Sequence, residues 1–272
     1  MPKPSRSAAV PAMTHPAGLD NILQIPPLEP GQRIPYGDDP NQFGELRLPE
    51  GKGRHPLVIF IHGGFWRAAY DLTHTGHLCV ALAKAGCAVW SLEYRRVGQP
   101  GGGYPGTLDD VRLGALRVTQ IPGLDLQRVV VAGHSAGGQL ALWLAAQETI
   151  ALKGVVALAA VSDMRHGHAL NLGSGAIETF LGGSPTQCDD RYRLASPVDL
   201  LPLKTPQVLL HGTDDDTVPF ELSEQFANAS ANARLVAVRG AGHFELIDPR
   251  TEYGPFVLKD ILAPISECPG SP

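Results

Sequence analysis

The sequence predicts an α/β fold with one core, built on a mostly parallel central sheet with helices on both faces. From about residue 44, short continuous apolar runs alternate with segments of helical periodicity. Continuous apolar runs are typical of strands that are buried on both faces, and their alternation with helices favours parallel pairing. A length of 272 residues can accommodate this architecture in a single large domain.

The predicted elements follow one another in a regular order. The first strand is the run at 57–61, and a helix over 73–86 follows it, ending at Gly86. We expect the helix over 107–120 to begin with a capping box at Thr107–Asp110. The other predicted strands are 88–92, 128–132, 154–158, 207–210 and 235–238, and the other predicted helices are 136–147 and 252–262.

Composition divides the chain into a core domain with flanking segments. Residues 1–35 are rich in proline and show little periodicity, which predicts an N-terminal arm. Residues 36–265 form the predicted domain, and residues 266–272 form a short tail. The stretch at about 162–203 is longer than a normal connection between strands, so we expect it to be a small cap inserted in the domain.

Charge and hydropathy exclude several classes of protein. With 22 Lys and Arg against 27 Asp and Glu, the net charge of −5 predicts no nucleic-acid partner and no acidic membrane surface as a partner. We expect a cytoplasmic protein, since no apolar run approaches the length of a membrane span or of a signal-peptide core. Cys79 and Cys87 stand in or beside an apolar segment and are expected to be small buried hydrophobes. The oligomeric state stays open.

A candidate nucleophile stands between a predicted strand and a predicted helix. Gly133-His-Ser-Ala-Gly137 fits the pattern G-x-S-x-G, in which the serine lies on a tight strand-to-helix turn. The flanking glycines let neighbouring backbone approach without a steric clash. The alternative is a glycine-rich turn whose serine caps the helix. The context favours Ser135 as a catalytic nucleophile.

A second motif, His62-Gly-Gly-Phe-Trp66, directly follows the strand at 57–61. Acyl transfer develops negative charge on a carbonyl oxygen, and backbone N–H groups can stabilise that charge. We expect those of Gly64, Phe65 and Ala136 to form an oxyanion hole. Phe65, Trp66 and His134 are expected to contact the substrate, whereas His62 is expected to shape the loop.

The base should follow the acid along the chain. His243 lies in a glycine-flanked loop after the last predicted strand, and it can accept the proton of the serine. Asp215 is selected as the acid by the spacing H-G-x-x-D-x-x-V-P. Asp214 and Asp216 stay open as alternatives, with Asp163 a remote one. His74 with His77, and His166 with His168, lack a completing carboxylate or cysteine, so no metal site is expected, and the chemistry requires no cofactor.

These residues together resemble the α/β-hydrolase superfamily over roughly residues 40–265. The two glycine motifs, with Gly138 following the second, are similar to those of small carboxylesterases, including feruloyl and acetyl-xylan esterases, and of kynurenine formamidases. Glu93-Tyr94-Arg95, Gly103-Tyr-Pro105 and Asp109-Asp110 add to this resemblance. It implies an α/β-hydrolase fold, Ser135, Asp215 and His243 as a triad, and Gly64, Phe65 and Ala136 as oxyanion donors.

The resemblance leaves the substrate open. The favoured function is a serine-dependent carboxylic ester hydrolase that acts on a small-molecule ester through an acyl-enzyme. The alternative is an arylformamidase that cleaves N-formylkynurenine with the same residues, and a peptidase is a weaker third. The remote alternative from another class is an inactive binding protein on a hydrolase scaffold.

Overall fold

Eight strands form one sheet at the centre of the molecule in the computed structural model, which describes residues 21–266. Their order is β1-β2-β4-β3-β5-β6-β7-β8; β1 pairs antiparallel with β2 and β2 with β4, whereas β3 to β8 pair in parallel. The predicted mostly parallel sheet is therefore confirmed. The strands are β1 (Gln32–Pro35), β2 (Phe43–Arg47), β3 (His55–Ile61), β4 (Ala88–Leu92), β5 (Leu124–His134), β6 (Gly154–Leu158), β7 (Gln207–Gly212) and β8 (Ala233–Val238).

Helices cover both faces of the sheet, and alternate residues of each strand therefore enter two different hydrophobic clusters. Leu57, Ile59 and Ile61 of β3 lie in one cluster, and Val58 and Phe60 lie in the other. The first cluster includes side chains of α2, α3 and α5, and the second includes side chains of α1 and α8. The helices are α1 (Gly76–Lys84), α2 (Gly106–Arg117), α3 (Ala136–Ala146), α4 (Met164–Ala169), α5 (Ala176–Leu181), α6 (Asp189–Ala195), α7 (Phe220–Ala229) and α8 (Gly254–Leu262).

The predicted N-terminal arm over 1–35 is wrong at its C-terminal end. Residues 32–35 form β1, which pairs with β2 at the edge of the sheet, and residues 22–24 form a 3₁₀ turn. The edge position explains why the strand lacks an apolar run, since its side chains are mostly exposed. Residues 1–20 of the arm and 267–272 of the tail lie outside the described residues.

The predicted capping box at Thr107 is also wrong. α2 begins one residue earlier, at Gly106, and its N-cap is Pro105. The Thr107 hydroxyl instead donates a hydrogen bond to the carbonyl oxygen of Arg95 at 2.5 Å. The Asp110 carboxylate is buried and accepts two hydrogen bonds, at 2.7 and 2.8 Å, from the Arg95 guanidinium. These side chains tie the start of α2 to the loop after β4.

The stretch predicted as a cap connects β6 to β7. Residues 162–203 contain α4, α5, α6 and a 3₁₀ turn at 197–200. Within this stretch, Gly173 lies against the ring of Phe65, and the Arg67 side chain donates a hydrogen bond to the Gly173 carbonyl oxygen. The inserted segment therefore packs directly on the loop that follows β3.

Candidate active site

Ser135 lies at the turn between β5 and α3. Its backbone adopts φ 58° and ψ −120°, a region that L-residues rarely occupy. The Ser135 side chain makes no capping hydrogen bond to α3, so the alternative of a helix-capping serine is wrong. A Cβ at Gly133 would lie 2.1 Å from the carbonyl oxygen of Gly137, which explains the glycine before the turn. The local sequence thus permits a strained turn that leaves the serine hydroxyl uncommitted to the helix.

The loop after β3 adopts left-handed backbone at three successive residues. The φ values are 106° at Gly64, 51° at Phe65 and 57° at Trp66. Within residues 21–266, the amide N–H groups of Gly64, Phe65 and Ala136 donate to no described acceptor. Ala136 is the first residue of α3, where a helix leaves its N–H groups without an intrahelical partner. All three predicted donors are therefore available for an external oxygen.

A buried hydrogen bond joins Asp215 to His243. The loop after β7 carries Asp215, and the loop after β8 carries His243, whose Nδ1 lies 2.7 Å from Asp215 Oδ2. The second carboxylate oxygen, Oδ1, accepts backbone hydrogen bonds from Thr217 at 2.9 Å and Val218 at 2.8 Å. These contacts fix the carboxylate and make Nδ1 of His243 the protonated nitrogen, which leaves Nε2 as an acceptor.

The Asp215 carboxylate stays ionised despite its burial. Burial by itself would raise the pKa of Asp215, but hydrogen bonds from His211 and His243 outweigh it and hold this pKa well below its usual range. His211 Nε2 lies 3.2 Å from Asp215 Oδ2, and the His211 ring is itself buried. The site therefore holds a fixed negative charge beside His243.

Asp215 is the candidate acid that the structure brings to His243. Asp214 and Asp216 each accept a hydrogen bond from a neighbouring threonine hydroxyl, at 2.8 and 3.0 Å. The remote alternative, Asp163, caps α4 by accepting hydrogen bonds from the N–H groups of Arg165 and His166. Local capping and turn formation thus account for these three carboxylates.

Ser135 and His243 line the same cavity, whose volume is about 50 Å³. The predicted residues Gly64, Phe65 and His134 also line it. The other described residues that line the cavity are Leu23, Tyr70, His74, Thr217 and Phe244. The cavity is therefore lined by loops at the ends of several strands and by a segment from the start of the described chain.

Trp66, predicted to contact substrate, does not line this cavity. Its side chain is buried, its ring stacks on Phe180 at 4.7 Å, and its indole N–H donates to Gln139 Oε1 at 3.0 Å. The left-handed turn at residues 64–66 directs Trp66 into the core, where α5 covers its large ring. Trp66 therefore supports the loop from behind.

His134 contacts the candidate base directly. Its Nε2 donates a hydrogen bond to the carbonyl oxygen of His243 at 2.9 Å, and the two rings lie 4.5 Å apart. Within the described residues, the buried Nδ1 atom of His134 has no hydrogen-bond partner. Burial lowers the pKa of His134 well below its usual value, so this ring is neutral at pH 7. His134 thus holds the backbone of His243 and adds no charge to the site.

His62 has the structural role that the sequence predicts. Its ring is buried and stacks on Tyr94 at 4.4 Å. Nε2 lies 3.0 Å from Glu93 Oε1, and Nδ1 lies 2.8 Å from the carbonyl oxygen of Gly63. Both ring nitrogens are therefore occupied by partners that hold the loop after β3 in place.

The remaining residues of the cavity were missed by sequence reasoning. Leu23 belongs to the segment that was predicted to be an arm, and Tyr70 and His74 follow the loop after β3. Two of the remaining residues stand close to predicted site residues in the sequence: Thr217 lies within the motif that contains Asp215, and Phe244 follows His243. Long-range proximity of this kind has no local pattern.

The histidines of the two sequence pairs do not share a ligand site, because each one contacts different residues. His166 Nε2 is 3.2 Å from Glu221 Oε1, and His168 Nε2 is 3.4 Å from Glu178 Oε2. His77 Nε2 hydrogen-bonds the Pro26 carbonyl oxygen at 3.1 Å, whereas His74 lines the cavity. Over residues 21–266, His, Cys, Asp and Glu side chains form no group of three or more suited to a metal ion.

The sheet, the turn at Ser135 and the strand-end loops define an α/β-hydrolase. The chain belongs to the BD-FAE family, whose family model matches residues 45–229. Among solved structures, a truncated form of a carbohydrate esterase from gut microbiota is similar, with a TM-score of 0.73 and 21% identity, covering 89% of this chain and 98% of that one. This likeness shows the shared fold.

Curated relatives match at modest identity. Isoprenylcysteine alpha-carbonyl methylesterase ICME of Arabidopsis thaliana is 28% identical over 249 residues, which cover 78% of this chain and 56% of the relative. Kynurenine formamidase of Danio rerio is 29% identical over 143 residues, covering 48% of this chain and 46% of the relative. The chain spans about half the length of these relatives. Among residues 21–266, no helix has both the length and the apolar character required to cross a membrane.

Proposed function

We propose that this protein hydrolyses a carboxylic ester through a covalent acyl-enzyme, with Ser135 as nucleophile, His243 as general base and Asp215 as the orienting acid. The observation that carries the proposal is the 2.7 Å contact between His243 Nδ1 and Asp215 Oδ2, made by a histidine that shares one cavity with Ser135. A serine hydroxyl is a weak nucleophile at neutral pH, and a neighbouring imidazole that accepts its proton makes attack feasible.

In the first half of the reaction, Ser135 Oγ attacks the ester carbonyl carbon while its proton moves to His243 Nε2. The carbonyl oxygen gains negative charge, which the N–H groups of Gly64, Phe65 and Ala136 stabilise in the proposed oxyanion hole. The C–O bond to the alcohol then breaks, and His243 returns the proton to the leaving oxygen. This step releases the alcohol and leaves the acyl group on Ser135.

In the second half, water attacks the acyl carbon and gives a proton to His243. The bond from the acyl carbon to Ser135 Oγ breaks, and the proton returns to the serine oxygen. The products are one carboxylic acid and one alcohol for each water consumed. Asp215 remains ionised throughout and stabilises the imidazolium form of His243.

The contacts proposed for the substrate are with Phe65 and His134, because both line the cavity beside Ser135. A formamide can be cleaved by the same steps, with an amine as leaving group. The similarity to kynurenine formamidase of Danio rerio favours N-formylkynurenine as the second candidate substrate. The two candidates differ in the leaving group and share every residue of the proposed mechanism.

The first experiment compares kcat/KM for p-nitrophenyl acetate, p-nitrophenyl butyrate and N-formylkynurenine in the wild-type protein, in Ser135→Ala and in Ser184→Ala. Ser184 is half-buried, does not line the cavity and serves as the matched control. We expect Ser135→Ala to reduce kcat by more than about 10⁴-fold and Ser184→Ala to match the wild type. A fluorophosphonate probe should label the wild type and leave Ser135→Ala unlabelled.

The outcomes separate the alternatives. A higher kcat/KM for the two esters supports the esterase, whereas a formamide value several orders of magnitude higher would identify an arylformamidase. Full activity in Ser135→Ala would contradict the assignment of the nucleophile. A folded wild-type protein that neither reacts with the probe nor turns over any substrate would indicate a binding protein.

A further inference from the structure

The segment at the start of the described chain is fastened beside the cavity. Ile22 is buried within the hydrophobic cluster that also contains side chains of α1 and α8. Asn21 Oδ1 accepts a hydrogen bond from the Leu23 N–H at 2.9 Å, which closes the 3₁₀ turn. A few residues further, the Pro26 carbonyl oxygen lies 3.1 Å from His77 Nε2. The position of Leu23 is thus set by a buried anchor before it and a side-chain contact after it.

Two large side chains at the cavity remain partly open to solvent. Leu23 and Tyr70 are each 42% exposed, and both line the cavity that contains Ser135. An exposed apolar surface that a ligand can cover contributes to binding roughly in proportion to the area removed from water. Leu23 and Tyr70 therefore form an apolar rim at the site, and this rim has surface left for a ligand.

The cavity behind the rim is small and apolar. Its volume of about 50 Å³ admits only a small portion of an ester, so the rest of the substrate must extend past the rim. Phe65 and Phe244 supply aromatic walls. Burial lowers the pKa of His74 to about 4 and that of His134 well below its usual value, so both rings are neutral at pH 7. The surroundings therefore favour an uncharged ligand.

We propose that Leu23 and Tyr70 bind an apolar group of a neutral ester and that Leu23 determines specificity. This inference rests on the proposed ester hydrolysis and names the class of ester: one small group lies in the cavity and one apolar group lies against the rim. The apolar group belongs to either the acyl or the alcohol side, and the two sides are distinguished experimentally. Leu23 acts on substrate binding and takes no part in bond making.

The test compares wild type, Leu23→Ala, Leu23→Met and Leu28→Ala on methyl acetate, hexyl acetate and methyl hexanoate, with acid release followed by pH-stat. Leu28 is similarly exposed, at 39%, but does not line the cavity, so it is the matched control. We expect Leu23→Ala to raise KM about three- to eightfold for one hexyl-bearing ester, with kcat within about twofold. Methyl acetate should be unaffected, Leu23→Met should retain the wild-type KM, and the ester that responds identifies the side.

Several results would overturn the inference. These are an equal change in KM for all three esters, no change, a lower KM for the hexyl esters, or the same response in Leu28→Ala. If the wild type hydrolyses the esters, Ser135→Ala does not, and Leu23→Ala leaves every KM unchanged, the inference about the rim is wrong and the proposed function stands. If the wild type hydrolyses none of the esters, the proposed function fails and the inference fails with it.

Discussion

At one edge of the sheet, two histidines in loops that follow strands each contact a buried carboxylate, and of these two only His243 shares the cavity with Ser135. His62 follows β3 and contacts Glu93 after β4 at 3.0 Å, whereas His243 follows β8 and contacts Asp215 after β7 at 2.7 Å. Distance and burial do not distinguish the two pairs. Their difference lies in what surrounds each imidazole.

Both ring nitrogens of His62 have hydrogen-bond partners. Its second nitrogen contacts the Gly63 carbonyl oxygen, and its face stacks on Tyr94. In the part of the chain that the structure describes, the ring nitrogens of His243 have one hydrogen-bond partner, which is Asp215 at Nδ1. The His243 ring lines the cavity. A buried histidine–carboxylate pair can therefore have a structural or a catalytic role. A ring nitrogen that has no partner among the described residues and faces a cavity distinguishes the candidate catalytic pair from the structural one.

The largest difference between the pairs should appear when each carboxylate is neutralised. Asp215→Asn is expected to lower kcat about 10⁴-fold, because an amide can no longer hold Nδ1 of His243 protonated and the imidazole loses its charge partner. The measurement is kcat for p-nitrophenyl acetate at pH 7, alongside circular dichroism to verify the fold. The side-chain oxygen of asparagine can still accept the N–H groups of Thr217 and Val218.

Asp216→Asn is the matched control, since Asp216 is the next residue and its carboxylate contacts the Thr217 hydroxyl. Its kcat should stay within about twofold of the wild type, as is usual for a substitution that leaves buried contacts intact. Equal losses in Asp215→Asn and Asp216→Asn, or a large loss only in Asp216→Asn, would show that the acid was assigned to the wrong aspartate.

The fold was predictable where burial leaves a pattern in the sequence. The strand at 88–92 was predicted with its observed bounds, because it is buried along its whole length and four of its five residues are apolar. The edge strand β1 and the helix α7 were missed, since exposed residues interrupt their apolar pattern. The strand β2 was missed because Gly44 and the buried Glu45 interrupt its apolar run. Tertiary contacts rather than local propensity specify such elements.

The site was predictable to the extent that its residues stand in turns with a local signature. Ser135, Gly64 and His243 were predicted from glycine spacing and from the strands that precede them, and the three residues line one cavity. Leu23 was missed because its position depends on a buried anchor in a segment that shows no periodicity. Trp66 was misplaced because the sequence does not show which way a left-handed turn directs the next side chain.

Neutralising the other pair should affect stability instead of catalysis. Burial alone would raise the pKa of Glu93, but His62 and Arg96 outweigh it and lower this pKa. Glu93→Gln would leave the buried Arg96 guanidinium without its counter-charge, which typically costs about 3–5 kcal/mol. We expect Glu93→Gln to have a lower free energy of unfolding in urea. Under conditions where the variant is folded, its kcat should lie within about tenfold of the wild type.

An exposed pair supplies the control for this comparison. Glu178 lies 3.4 Å from His168 at the surface, so Glu178→Gln should leave the free energy of unfolding nearly unchanged. The structural role of the His62–Glu93 pair would be contradicted if Glu93→Gln kept its full stability and its kcat fell by three orders of magnitude. Glu93 would then belong with the reacting groups.

The smallest effect concerns His74, which connects the two regions. Its ring lies edge-on to His62 with centroids 5.7 Å apart, and it also lines the cavity. Because burial lowers the pKa of His74 from about 6.5 to about 4, the folded protein binds fewer protons than the unfolded chain between these pH values. The contribution to stability is complete above pH 6.5 and is lost as the pH falls toward 4.

Urea unfolding at pH 7 and pH 5 tests this linkage. Between these values the wild type should lose about 2 kcal/mol more than His74→Gln, since the substituted side chain does not titrate. His166→Gln, which removes a partly exposed histidine from the inserted segment, should retain the wild-type pH dependence. An identical loss in wild type and His74→Gln would show that His74 is protonated as easily in the folded protein as in the unfolded chain.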